Sequence, residues 1–128
     1  MNQGGGIKKF TDLHAWQEAH AVVLDIYTHS KSFPSDERFG LTNQIRRAAI
    51  SISSNIAEGF SRRSYKEKIQ FYFIALGSTT EVQNQLLIAK DVGYIQKDSF
   101  DTIAQKTIVV HKLINGLIKS SRTHIHTS

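Results

Sequence analysis

Pro34 is the only proline in the chain, and the stretches on either side of it repeat apolar residues at intervals of three and four. That spacing gathers side chains on one face of an α-helix, and a proline inside such a stretch would break it. The chain is thereby limited to a few long helices. The first segment runs from Thr11, read as its N-cap, to about Lys31, with Leu13, Trp16, His20, Val23 and Tyr27 as its inner stripe. The second opens at Thr42, again read as a cap, and ends near Gly59, with Ile45, Ala49, Ile52 and Ile56 facing inward. Its "ISIS" at Ile50 to Ser53 alternates as a strand would, but over four residues only, whereas the helical period spans the segment.

The third segment starts with Ser64-Tyr65-Lys66-Glu67, the pattern of a capping box. Its stripe is Tyr72, Ala75, Thr79, Val82, Leu86 and Ala89, and Gly93 stands where a left-handed C-terminal cap belongs. Asp98 is read as the cap of a fourth helix, with Phe100, Ile103, Thr107, Val110, Ile114 and Leu117 inward. Four such helices on short connections predict an all-α, antiparallel up-and-down four-helix bundle. The expected organisation is a flexible tail at 1–9, the bundle at 10–121, and a flexible tail at 122–128, where no apolar period continues.

The absence of cysteine excludes disulfides, thiolate zinc sites, iron–sulfur clusters and a cysteine nucleophile. The longest fully apolar run, Phe71 to Leu76, is far short of the roughly 20 residues of a membrane helix. With no signal-peptide core at its start, the chain is expected in the cytoplasm. None of Glu18, Glu37, Glu58, Glu67 and Glu81 is followed three residues on by histidine, so the di-metal bundle motif is missing. His14, His20, His29, His111, His124 and His126 never form an i, i+4 pair. His20, in the first stripe, is expected as a hydrogen-bonded core histidine, and His124 and His126 as part of the loose tail. Gly4 to Gly6 follow no strand and make no phosphate loop. The reading is of a non-enzyme without cofactor or metal.

Charge is placed unevenly. Between Arg38 and Lys68 seven basic residues (Arg38, Arg46, Arg47, Arg62, Arg63, Lys66, Lys68) meet two acidic ones (Glu58, Glu67), while the rest of the chain carries nine of each sign. Such a cluster suits an anionic partner such as nucleic acid, the alternative being a solvated face of a basic protein. Arg62, Arg63, Lys66 and Lys68, at the turn and first turn of the third helix, are expected to be solvated. That helix also carries Ile69, Phe71, Phe73, Ile74, Leu76 and Leu87 outside its main stripe, more apolar surface than one core requires. Subunit contacts or a broad core seam would account for it.

The most distinctive stretch is "LTNQIRRAAISISSNIAEGFSRR" at Leu41 to Arg63. Arg47, Ser51, Ser54 and Glu58 share one polar face, and Glu58 is placed either to pair with an arginine and fix the turn or to orient one while the others stay free for phosphates. With "FTDLHAWQEAH" at Phe10 to His20 and "FYFIALGSTTEVQNQLLIAKDVGYI" at Phe71 to Ile95, this stretch resembles the four-helix bundle family of 23S rRNA intervening-sequence proteins. Their open reading frames lie within insertions in bacterial large-subunit rRNA genes. The resemblance runs from about Phe10 to Leu117 and implies a ring-like homopentamer with no established catalysis. It makes Asn55, Glu58 and Gly59, in "NIAEG", signature positions. The accessory proteins of diversity-generating retroelements are similar again, and imply binding to nucleic acid and a reverse transcriptase through basic surfaces, although they lack "NIAEG".

The expected function is an oligomeric accessory that binds nucleic acid, RNA above all, through Arg46, Arg47, Arg62, Arg63, Lys66 and Lys68. The alternative is a protein-interaction scaffold, for a reverse transcriptase for example, whose charge serves solubility. Phe60 and Tyr65 are the only aromatics within the basic stretch, a sparse stacking surface.

Overall fold

The computed structural model describes residues 6–127, and side chains as far as Ile125. Gly4, Gly5, the rest of 1–5, Ser128 and the side chain of His126 lie outside the described residues. A 3-10 turn at Phe10–Asp12 leads into α1 (His14–Ser30); a second at Ser35–Glu37 precedes α2 (Leu41–Ser61), and α3 (Tyr65–Asp91) and α4 (Lys97–Thr127) follow. Each helix packs antiparallel on the next, and α4 closes on α1. The register shows in the cross-links: Ser51 to Ser78, Gln83 to Thr107, and Lys106 to Asp25. The chain is an all-α four-helix bundle with no strand among the described residues.

The core follows the expected stripes on three helices. Ile45, Ala49, Ile52 and Ile56 are fully buried on α2, and so are Ala75, Thr79, Val82 and Ala89 on α3. On α4 they meet Ile103, Val110 and Ile114, with Ile118 rather than Leu117 completing the face. Burying an isoleucine or valine contributes about 1.5–3 kcal/mol. Thr79 and Thr107 enter the core at no polar cost because their hydroxyls donate to the carbonyls of Ala75 and Ala104.

α1 departs from expectation. Its buried face is Ala15, Ala19, Val22, Ile26 and Ser30, one residue round from the expected stripe. Two alanines let the helix axis come close to its neighbours, which large side chains at those positions would prevent. Trp16 and Val23 flank the core instead, Tyr27 is 36% exposed, and His20 is exposed, stacked on Trp16 at 4.7 Å. His20 is therefore not a core histidine.

The caps also differ. Thr11 lies in the 3-10 turn, and Leu13 precedes α1. Thr42 is inside the first turn of α2, whose Leu41 N–H is met by the Glu37 carboxylate at 3.0 Å, a cap reaching over from the preceding turn. Asp98 is inside α4, which starts one residue earlier. Ser64 does cap α3, accepting from the Glu67 N–H at 3.1 Å, and Gly93 takes φ +86° just past its end. The fourth helix does not stop at 121: α4 continues to Thr127, because Ile118 and Ser121 keep its inner face buried for another turn. No helix among the described residues is long and apolar enough to cross a membrane.

Candidate nucleic-acid interface

The antiparallel arrangement brings the start of α1, the end of α2, the start of α3 and the end of α4 to one end of the bundle. Lys8, Lys9, Arg62, Arg63, Lys66, Lys68, Lys119 and Arg122 gather there, eight cations against the three carboxylates Asp12, Glu58 and Glu67. At the opposite end Lys31, Arg38, Lys90 and Lys97 face five carboxylates, Asp36, Glu37, Asp91, Asp98 and Asp101. The local excess of five at the first end equals the net charge of the whole chain, +5.

The expected site residues divide. Arg62, Arg63, Lys66 and Lys68 come together on the turn between α2 and α3. Arg62 pairs with Glu58 at 2.8 Å, one helical turn back, while its guanidinium lies over the Phe71 ring at 4.6 Å. Glu58 thus does fix the turn. Arg63 and Lys66 are exposed and have no ion-pair partner among the described residues. Lys68 is not solvated as expected. It is half-buried, its ammonium donates to the Phe60 carbonyl at 2.6 Å, and burial lowers its pKa. It closes the end of α2, where the last carbonyls have no helical partner.

Arg46 and Arg47 are not part of this group, lying sixteen and fifteen residues before Arg62 on α2, about 22–24 Å away along the helix. Arg46 donates to the Ser30 hydroxyl at 2.8 Å and lies over Tyr27 at 4.6 Å, holding α1 to α2. Arg47 lines a shallow polar groove between α2 and α3 with Asn43, Gln44, Ser51 and Glu81.

The signature positions hold α2 against α3. Asn55 donates to the Ser51 carbonyl at 2.8 Å and to its hydroxyl at 3.0 Å, and Ser51 bonds Ser78 across the helix pair at 2.8 Å. Gly59 lies directly against Tyr72: a Cβ there would come within 2.6 Å of the ring. The tyrosine is 3% exposed, and burial pushes its hydroxyl pKa up to about 12. The motif therefore builds the turn that carries Arg62 and Arg63.

A family model described as 23S rRNA-intervening sequence protein matches residues 11–116. The chain belongs to that family. In fold it is similar to a crystallised protein of unknown function from the S23 ribosomal protein family of Bacteroides thetaiotaomicron, at 24% identity and a TM-score of 0.76, over 82% of this chain and 95% of that one. No curated protein matches the chain.

Five contributors to the basic end were not among the expected site residues: Lys8 and Lys9 ahead of α1, and Lys119, Arg122 and His124 on α4. Arg122 lies over Phe73 at 5.5 Å, and the His124 ring stacks on Tyr65 at 4.5 Å with planes 14° apart. Lys119 joins them one turn earlier on α4. Arg122 and His124 belong to the part of α4 beyond 121, whose signal was the buried Ile118 and Ser121 rather than any motif, whereas Lys119 lies within the helix already expected. No group of three or more His, Cys, Asp or Glu among the described residues is arranged to hold a metal ion.

Proposed function

We propose that this intervening-sequence protein is a non-enzymatic, self-assembling bundle that binds nucleic acid, RNA foremost, through the basic end formed by α2, α3 and α4. The observation that carries the reading is the segregation of charge, with an excess of five cations at one end and a slight acidic excess at the other. A field organised this way steers and orients a polyanion, which a uniformly solvated basic surface does not. Self-assembly is supported by the outer face of α3, where Ile74, Leu87 and Ile88 remain 43–51% exposed in the single chain.

The test is the triple substitution R62E/R63E/K66E, which leaves Lys68 in place to close α2. Arg63 and Lys66 are exposed and should each cost about 0.5 kcal/mol or less in stability, and Arg62 about 1 kcal/mol through its lost surface pair with Glu58. Fluorescence anisotropy with a labelled 20-nucleotide RNA should show binding by the natural chain. In the variant binding should be lost, or the salt slope flattened by about 0.7 for each phosphate contact removed on single strands. Unchanged affinity and slope in a folded variant would overturn the assignment, and a natural chain that binds no nucleic acid at low salt would favour a scaffold role.

A further inference from the structure

We propose that the basic end receives single-stranded nucleic acid, stacking unpaired bases on aromatic faces at the α3–α4 seam, with Tyr65, Phe73, Arg122 and His124 as binding residues. The inference rests on the nucleic-acid reading above and specifies the form of nucleic acid it takes. A surface built only to hold a duplex backbone needs cations and no rings. Here cations and rings are interleaved: Arg122 over Phe73, Arg62 over Phe71, and His124 flat on Tyr65.

Phe73 is 45% exposed, and its ring contributes nothing to the buried core. Tyr65 is half-exposed in the first turn of α3, about 12 Å along the helix from Phe73, so the two form separate platforms. His124 is exposed and fixed in orientation, since its Nδ1 donates to the Ser120 carbonyl at 2.8 Å while its plane follows that of Tyr65. Exposed rings beside arginines are the arrangement on which splayed bases stack while the guanidinium meets the adjoining phosphate. A paired duplex hides its base faces and gains nothing from the rings.

The experiment compares a labelled 12-nucleotide single-stranded RNA with the corresponding 12-base-pair duplex, against the natural chain, Y65L/F73L, R122Q/H124L and R62E/R63E/K66E. The expected result is tighter binding of the single strand by the natural chain and a loss of about tenfold or more in Y65L/F73L, matching one or two lost stacks. Its duplex affinity and salt slope should change less than twofold, and Y65F should retain single-strand binding. If Y65L/F73L loses helicity, R122Q/H124L, confined to the last turns of α4, replaces it: single-strand binding should again fall about tenfold or more, while the duplex loses only the one phosphate contact of Arg122. Equal binding of both probes, with the ring variants unchanged while R62E/R63E/K66E loses binding, overturns the stacking inference and leaves the broader reading intact. Binding of neither probe by the natural chain overturns both.

Discussion

Replacing Gly59 with alanine sets two well-measured effects against each other. Within a helix the change should stabilise, since glycine is about 1 kcal/mol less favourable than alanine. Against that, the new Cβ would sit 2.6 Å from Cε1 and 2.9 Å from Cδ1 of Tyr72, and 3.2 Å from the Lys68 carbonyl oxygen. Carbon atoms pack best at about 3.5–4.0 Å. The ring is 3% exposed and cannot swing away, and the carbonyl belongs to the α3 backbone, so the helices must separate. Overpacking of this kind costs about 1–3 kcal/mol. With the upper part of that range expected for backbone displacement, the net loss is about 1–2 kcal/mol. An unfolding entropy of about 2.1 cal/mol/K per residue converts that loss into a fall in Tm of about 4–7 °C.

The internal control is Gly116→Ala on α4, where nothing lies within 4 Å of the added Cβ and the change should raise Tm by a few degrees. Melting is followed by circular dichroism at one fixed protein concentration, because assembly would itself shift Tm. A double substitution with Tyr72→Leu should remove most of the Gly59→Ala penalty, since the pair would no longer collide. If Gly59→Ala stabilises as much as Gly116→Ala, the close approach of α2 and α3 is not what the signature glycine is for.

Gly77, exposed mid-way along α3 between Ile74 and Leu87, also has nothing within 4 Å of an added Cβ in the single chain. Alanine there should therefore stabilise an isolated subunit, while Gly77→Leu combined with Ile74→Glu should shift light scattering toward the monomer; an unchanged oligomer would remove α3 from the proposed interface. Glu37 accepts from the Leu41 N–H and then from the Tyr94 hydroxyl, both of which hold its carboxyl below the usual 4.5. A depressed carboxylate stabilises the fold above its unfolded pKa and loses that contribution as pH falls through the folded value. Urea midpoints should accordingly drop more steeply from pH 6 to pH 3 in the natural chain than in Glu37→Gln, and parallel curves would refute the cap.

Three of the four core stripes were legible because they are made of large apolar residues at regular spacing. The α1 face was not, because Ala15, Ala19 and Ser30 carry little weight in a hydrophobic pattern, while Trp16 and Tyr27 draw it a position round the helix. Only the neighbouring helices reveal that close approach, rather than side-chain size, decides that face. The cap of α2 was illegible for a related reason. Glu37 reaches Leu41 N–H across a 3-10 turn, and no short-range capping rule covers that distance.

The basic site was legible in sign but not in membership, and the reason lies in the topology. Sequence proximity grouped Arg46 and Arg47 with Arg62 and Arg63, yet fifteen helical residues carry the first pair about 22 Å from the second. There they serve α1 and the α2–α3 groove. Antiparallel packing does the converse for Lys119 and Arg122: more than fifty residues from the basic stretch, they are returned to it because α4 ends where α3 begins. Arg38 is sent to the acidic end. The chain's excess charge is thus concentrated by the up-and-down fold itself, and the length of α4 sets how many cations arrive. Cutting the chain after Lys119 removes Arg122 and His124 but leaves the Arg62–Arg63 turn, which separates the two contributions that sequence order alone had merged.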